Sequence, residues 1–182
     1  MENNAVSAGV KLGGLFNSTE IRILICYILN AVNEPIPSSI LVNELHFEGI
    51  ANAFEVSDAI VSLADNGNIR LVDKDSDSYE ITQKGIETAN TLKTSLSYTV
   101  KDRAFALTVK MLARMKNIKQ THFDIVYENN IPYIVCTVLD GDLPLMSIKL
   151  LLSDENQSTA IKERFLNDPT EIYKIIIDKL TK

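Results

Sequence analysis

Two cysteines, two histidines and seven glycines in 182 residues leave this chain short of most catalytic and metal-binding chemistry. Cys26 and Cys136 lie inside separate apolar runs, with no C-x-x-C spacing and no histidine nearby, so they read as reduced core thiols. His46 and His122 are far apart, and neither has a ligand partner at helical or hairpin spacing. The glycines form neither G-x-G-x-x-G nor G-x-x-x-x-G-K-[ST], which excludes both nucleotide fingerprints. The acidic "DGD" at 140–142 offers two carboxylates, too few for a hard cation that wants about six oxygens, and is read as a hairpin turn. The expectation is a protein that is not an enzyme and carries no metal and no cofactor. Tyr79, Tyr98, Tyr127, Tyr133 and Tyr173 are read as core or edge fillers with their hydroxyls at the surface. No small-molecule effector is named by them.

Long apolar runs are missing too. The longest, "ILICYIL" from Ile23 to Leu29, falls well short of the roughly 20 residues that span a bilayer. The opening "MENNAVSAGVKLGG" has no basic segment followed by an apolar core, so it does not read as a secretion signal, and the expected location is the cytoplasm. What the chain does have is 46% hydrophobic residues, ample for packed cores in one sizeable or two small domains.

Caps, periodicity and turn residues divide it. "NSTEIRILICYILNAV" places an N-cap at Asn17, Glu20 three residues later, and Ile21, Leu24, Ile25, Ile28 and Leu29 at helical spacing. Pro35 and Pro37 stop that helix, and Ser38 or Ser39 can cap a short second one through about Leu45. Val56, Ile60 and Leu63 mark a third, ending near Gly67, which suits a left-handed C-cap. In "NIRLVDKDSDSYEITQKG" from Asn68 to Gly85, alternating residues on either side of an apolar-free "DKDSDS" predict a two-stranded hairpin, after which Thr82 caps a fourth helix. Three helices, a hairpin and a helix make a winged helix-turn-helix over residues 1–98.

The rest, 99–182, begins with a helix over about 99–116 that carries two apolar stripes. Val100, Ala104, Leu107 and Met111 form one; Phe105, Val109 and Leu112 form the other. Two stripes need two partners, and the expectation is a homodimer formed through Val100, Phe105, Leu107, Val109, Met111 and Leu112. Burial of the helix between two domains is the alternative. Three strands at about 121–128, 131–139 and 144–152, joined by "NN" and "DGD", form an antiparallel meander. Two helices follow, the second with Asp168 as N-cap, Pro169 at its first position and Glu171 completing a capping box. The fold class is α+β: a winged helix, then a small three-stranded antiparallel sheet with helices on one face.

"FEVSDAIVSLADNGNIRLVDKDSDSYEITQKGIETA", followed by "NDPTEIYKIIIDKL", resembles the bacterial family called domain of unknown function 4364, over about Phe16 to Leu180. The resemblance rests on Leu63-x-x-x-Gly67-x-Ile69, on Tyr79-x-Ile81-Thr82-x-x-Gly85, and on the pair Ile172-Tyr173. It implies a DNA-binding transcriptional regulator with an appended small α+β domain; the role expected of that C-terminal domain is dimerisation or sensing.

Charge pulls against that implication. Residues 1–98 hold six basic and thirteen acidic residues, a net −7, and the remainder holds twelve and eleven, a net +1. DNA affinity draws heavily on Lys and Arg displacing counterions from phosphates, yet no Lys or Arg lies between Arg22 and Arg70. With Val56, Ile60 and Leu63 turned inward, the third helix turns Asp58, Val61, Ser62 and Asp65 outward. The expected interface with double-stranded DNA comprises Ser39, Ser57, Asp58, Val61 and Ser62 near bases, with Arg70, Lys74 and Lys84 on phosphates. The alternative is a winged-helix protein-interaction module that uses its acidic third helix and wing without binding DNA.

Overall fold

Helix α1, Ser18–Val32, forms where the sequence caps it and where apolar residues leave it almost no polar side. The Asn17 side chain accepts from the Thr19 N–H at 2.8 Å, and Asn33 ends the helix in the left-handed region at φ 55°, its N–H donating to the Leu29 carbonyl. Ile21, Leu24, Ile25, Cys26 and Ile28 are completely buried. Each such aliphatic side chain contributes about 2 kcal/mol by leaving water. This computed structural model describes residues 8–182; the opening "MENNAVS", on which part of the leader reading rests, lies outside them. Among the described residues the chain is α+β, with seven helices and two three-stranded antiparallel sheets. One compact unit ends at Leu112, and the other runs Ala113–Lys182. None of the described helices is long and apolar enough to cross a membrane.

In the first unit α1 is followed by β1 (Ile36–Pro37), α2 (Ser38–Phe47), α3 (Ala53–Asp65), β2 (Ile69–Asp73), β3 (Ser78–Ile81) and α4 (Gln83–Leu92). The sheet has three strands, not the two expected. β3 lies in the middle, with β2 on one side and β1 on the other through Ile36 opposite Tyr79 and Pro37 opposite Ser78. A two-residue strand has no periodicity to read, and prolines that end α1 are compatible with a sheet edge. The expected serine cap on α2 is also corrected. Pro37 holds the cap position with no side-chain bond, because the Ser38 hydroxyl instead donates to Asp77 Oδ2 at 2.5 Å.

α5, Tyr98–Lys119, spans the division between the units. The second unit continues with β4 (Thr121–Glu128), β5 (Ile131–Asp140), β6 (Leu143–Leu151), α6 (Glu155–Asn167) and α7 (Pro169–Thr181). Both hairpins turn on left-handed residues, Asn129 and Asn130 at φ 52° and 63° and Gly141 at φ 59°, as their "NN" and "DGD" signals require. Asp168 caps α7 by accepting from the Glu171 N–H at 2.9 Å, with Pro169 at the first turn where its missing N–H costs nothing. Alternate residues of β5, Ile134, Cys136 and Val138, are buried against Phe165, Ile161 and Ile172 of the two helices. The helices therefore cover one face of the sheet.

Candidate nucleic-acid interface

α3 is held at both ends by polar contacts that set its exposed side. The Asn52 side chain caps it through the Phe54 N–H at 2.9 Å. At the other end Gly67 adopts φ 69°, and Lys84 Nζ donates to the Asn66 carbonyl at 2.7 Å, placing a cation at the negative end of the helix dipole. The chain then enters β2 through Asn68, which is buried. Its carbonyl accepts from the Thr82 N–H and hydroxyl, and its side chain donates to the Thr88 hydroxyl. Thr82 caps α4 through the Gly85 N–H at 3.2 Å. A Cβ on Gly85 would come within 2.1 Å of the Asn68 carbonyl oxygen, so only glycine lets α4 approach this closely. These contacts fix the β2–β3 hairpin against the exit of α3.

The candidate residues are not equally free. On α3, Ser57, Asp58 and Val61 are exposed, although the Ser57 hydroxyl donates back to the Ala53 carbonyl at 3.0 Å. Ser62 is half-buried and accepts from Arg22 Nη1 at 3.2 Å, while Arg22 Nη2 donates to the Thr19 hydroxyl at the same distance. Arg22 thus ties α1 to α3. Ser39 is exposed in the first turn of α2. Arg70 is paired with Glu80 across the hairpin, and Lys84 is engaged at the end of α3. Lys74 projects from the exposed hairpin tip.

That tip is built from carboxylates. Asp73 Oδ1 accepts from the Asp75 N–H at 3.0 Å, and Oδ2 from the Ser76 hydroxyl at 2.5 Å. The Ser76 bond, followed by the Asp75 N–H, holds the Asp73 carboxyl below its ordinary range. Asp77 accepts the Ser38 hydroxyl, which links the tip to α2. Burial, and then the charge of Asp77, raise the Tyr79 hydroxyl above its usual value.

One exposed residue lies beyond the set expected from the sequence. Phe54 is 78% exposed and Val61 58%, and with Asp58 and Asp65 they occupy positions i, i+7, i+4 and i+11 along α3. The outward face of α3 is therefore apolar and acidic, with no cation of its own. The signal for Phe54 is its place on the same side of the helical wheel as Asp58 and Val61.

The six residues assigned to dimerisation separate into two sets. Val100, Leu107 and Met111 are buried by the chain itself, whereas Phe105, Val109 and Leu112 are exposed. Cys26 and Cys136 are buried free thiols; desolvation pushes Cys26 up to about 11 and raises Cys136 as well. Among the described residues no three His, Cys, Asp or Glu side chains converge as a metal site would need.

A family model described as Domain of unknown function (DUF4364) matches residues 21–180. No curated protein and no solved structure matches the chain.

Proposed function

We propose that this chain, which belongs to the family described as Domain of unknown function (DUF4364), is a winged helix-turn-helix transcriptional regulator that binds double-stranded DNA. Its C-terminal part, residues 99–182 with α5 included, serves dimerisation or sensing. The observation that carries the reading is the joint placement of α3 and the β2–β3 hairpin. An exposed helix follows a short helix and a turn, and Asn68, Thr82 and Gly85 clamp a solvent-facing hairpin to its exit. An α3 laid in the major groove brings Ser57, Asp58 and Val61 to base edges, where Asp accepts from cytosine and Val packs on a thymine methyl. Lys74 at the hairpin tip reaches phosphate directly. Arg70 and Lys84 join it by exchanging Glu80 and the Asn66 carbonyl for phosphate oxygens.

So few cations make the electrostatic part of binding small. At about 0.9 per neutralised phosphate, the log–log salt slope is on the order of 3 to 6 for a dimer. Selection from a random duplex library at low salt should enrich a discrete sequence. Lys74→Ala with Lys84→Ala should then weaken all duplexes alike, while Val61→Ala acts on the selected one. Failure to enrich any sequence over a scrambled control overturns the DNA reading.

A second reading is favoured by the Phe54, Asp58, Val61 and Asp65 face. Two large apolar groups flanked by carboxylates suit a basic, apolar protein surface better than a phosphate backbone. In that case Phe54→Ala abolishes binding to the protein partner, and duplex selection yields nothing.

A further inference from the structure

α5 presents two opposite faces, and the chain covers one of them. Val100, Ala104, Leu107 and Met111 are buried. Half a turn away, Tyr98, Phe105, Val109 and Leu112 are 81%, 64%, 55% and 37% exposed. At roughly 100° per residue these four lie within about 60° of the Val109 direction, as do the exposed Asp102, Ala106, Ala113 and Lys116. The face thus has large apolar residues near its middle, an alanine beside each of Phe105 and Leu112, an acid toward its N-terminal end and a base toward its C-terminal end.

We infer that this face pairs with the same face of a second copy, antiparallel, with the two-fold axis passing through Val109. In that register Phe105 lies beside the partner's Ala113 and Leu112 beside the partner's Ala106, so each large side chain meets a small one. Asp102 lies beside the partner's Lys116. Both complementarities, of size and of charge, come from a single alignment, and the two-fold axis repeats each of them. Other alignments lose them. A parallel pair sets Asp102 on the partner's Asp102 and Lys116 on the partner's Lys116. An antiparallel pair slid by seven residues sets either Asp102 or Lys116 on the partner's Val109. The partner is a second copy rather than an unrelated protein because the face complements itself. Neither α3 nor the hairpin contributes to it, so the pairing stands apart from the DNA reading.

Sedimentation of the full chain, with its charge pattern exchanged in steps, tests the register. The natural chain is expected to dimerise at tens of micromolar, and Val109→Glu to be monomeric with an unchanged circular dichroism spectrum, since position 109 is exposed in the monomer. Asp102→Lys and Lys116→Glu should each raise the dissociation constant roughly tenfold, because each replaces two attractions by two repulsions. The double variant should recover the original constant, as only an antiparallel pairing brings the two positions together. Val109→Cys should give an interchain disulfide under mild oxidation, with Cys26 and Cys136 buried and silent. A monomeric natural chain overturns the inference. So does a dimer that the double charge exchange fails to restore, or one that Val109→Cys fails to cross-link.

Discussion

The two units bury their apolar residues to different depths. Among the described residues of the first, Ile21, Leu24, Ile25, Ile28, Leu41, Leu45 and Ile50 are fully enclosed; in the second, Ile134 is the large side chain that reaches this state. The cause is architectural. α1 is surrounded, with α3, α4 and β3 packed around it. The β4–β5–β6 sheet has helices on one face, and on the other Tyr133, Val135 and Thr137 are only half-buried while Lys149 lies 4.5 Å from the centre of the Tyr133 ring. A layer covered on one side can adjust around a lost side chain. A surrounded helix cannot.

Truncations at equal burial test this most strongly. Leu24→Ala should destabilise the first unit by about 4 kcal/mol, near the top of the range for buried leucines, because the cavity is walled by side chains with nowhere to move. Ile134→Ala, also at zero exposure, should cost about 2 kcal/mol, since Ile125 and Leu150, opposite it on the flanking strands, are exposed and can close in. Hydrogen exchange read separately for the two units gives both numbers. Equal losses would show that burial depth, and not the surrounding layers, sets the cost.

Helices and hairpins with strong local chemistry are legible in the amino-acid sequence alone. The Asp168–Pro169 start of α7, the Thr82 cap and the Asn129–Asn130 turn each need only neighbouring residues, and each forms as expected. β1 is not legible, because Ile36 and Pro37 become a strand only by meeting Tyr79 and Ser78. Nor does the sequence say that Ser38 chooses Asp77 over its own helix, since the two are far apart in the chain. The candidate interface divides along the same line. The exposure of Asp58 and Val61 follows from helical periodicity, whereas the engagement of Ser62 by Arg22 and of Lys84 by the Asn66 carbonyl depends on distances that no spacing encodes. For α5 the two stripes are readable. Which of them the chain covers is decided by packing.

A smaller effect sharpens the comparison within the first unit, where a carboxylate sits among the enclosed side chains. Glu44 is buried, and Lys110 Nζ lies 2.8 Å from Glu44 Oε2 and 3.2 Å from Glu48 Oε1. The Glu44 bond raises the Lys110 amine above its ordinary 10.5. A raised lysine stabilises the fold fully at pH below the unfolded value, and that contribution is lost as pH rises through the folded one. Lys110→Met should therefore cost about 1 to 2 kcal/mol near neutrality, less than for a fully enclosed pair because the lysine is half exposed. The gap between the variant and the natural chain should stay constant up to about pH 10 and close above it. A gap that already closes between pH 7 and 9 would mean that the ion pair is not its source.

The smallest effect belongs to the hairpin tip, the part of the first unit with the least burial. Asp73 is exposed and accepts from the Ser76 hydroxyl and the Asp75 N–H, bonds that favour its charged form and lower its carboxyl from 3.8. A depressed carboxyl contributes order above the unfolded value and loses it as pH falls through the folded one. The carboxyl carbon of Asp73, followed by NMR, should titrate below 3.8 and move back toward that value in Ser76→Ala, the Ser76 bond being the largest cause. Global stability should be unchanged, because the tip encloses no apolar side chain whose exposure it could control. The hairpin carries Lys74, so loosening it should show first in whatever Lys74 touches. Under the DNA reading, Ser76→Ala weakens binding to every duplex by a similar small factor and leaves sequence preference intact. If preference changed while overall affinity held, the hairpin would be reading bases and not holding phosphate.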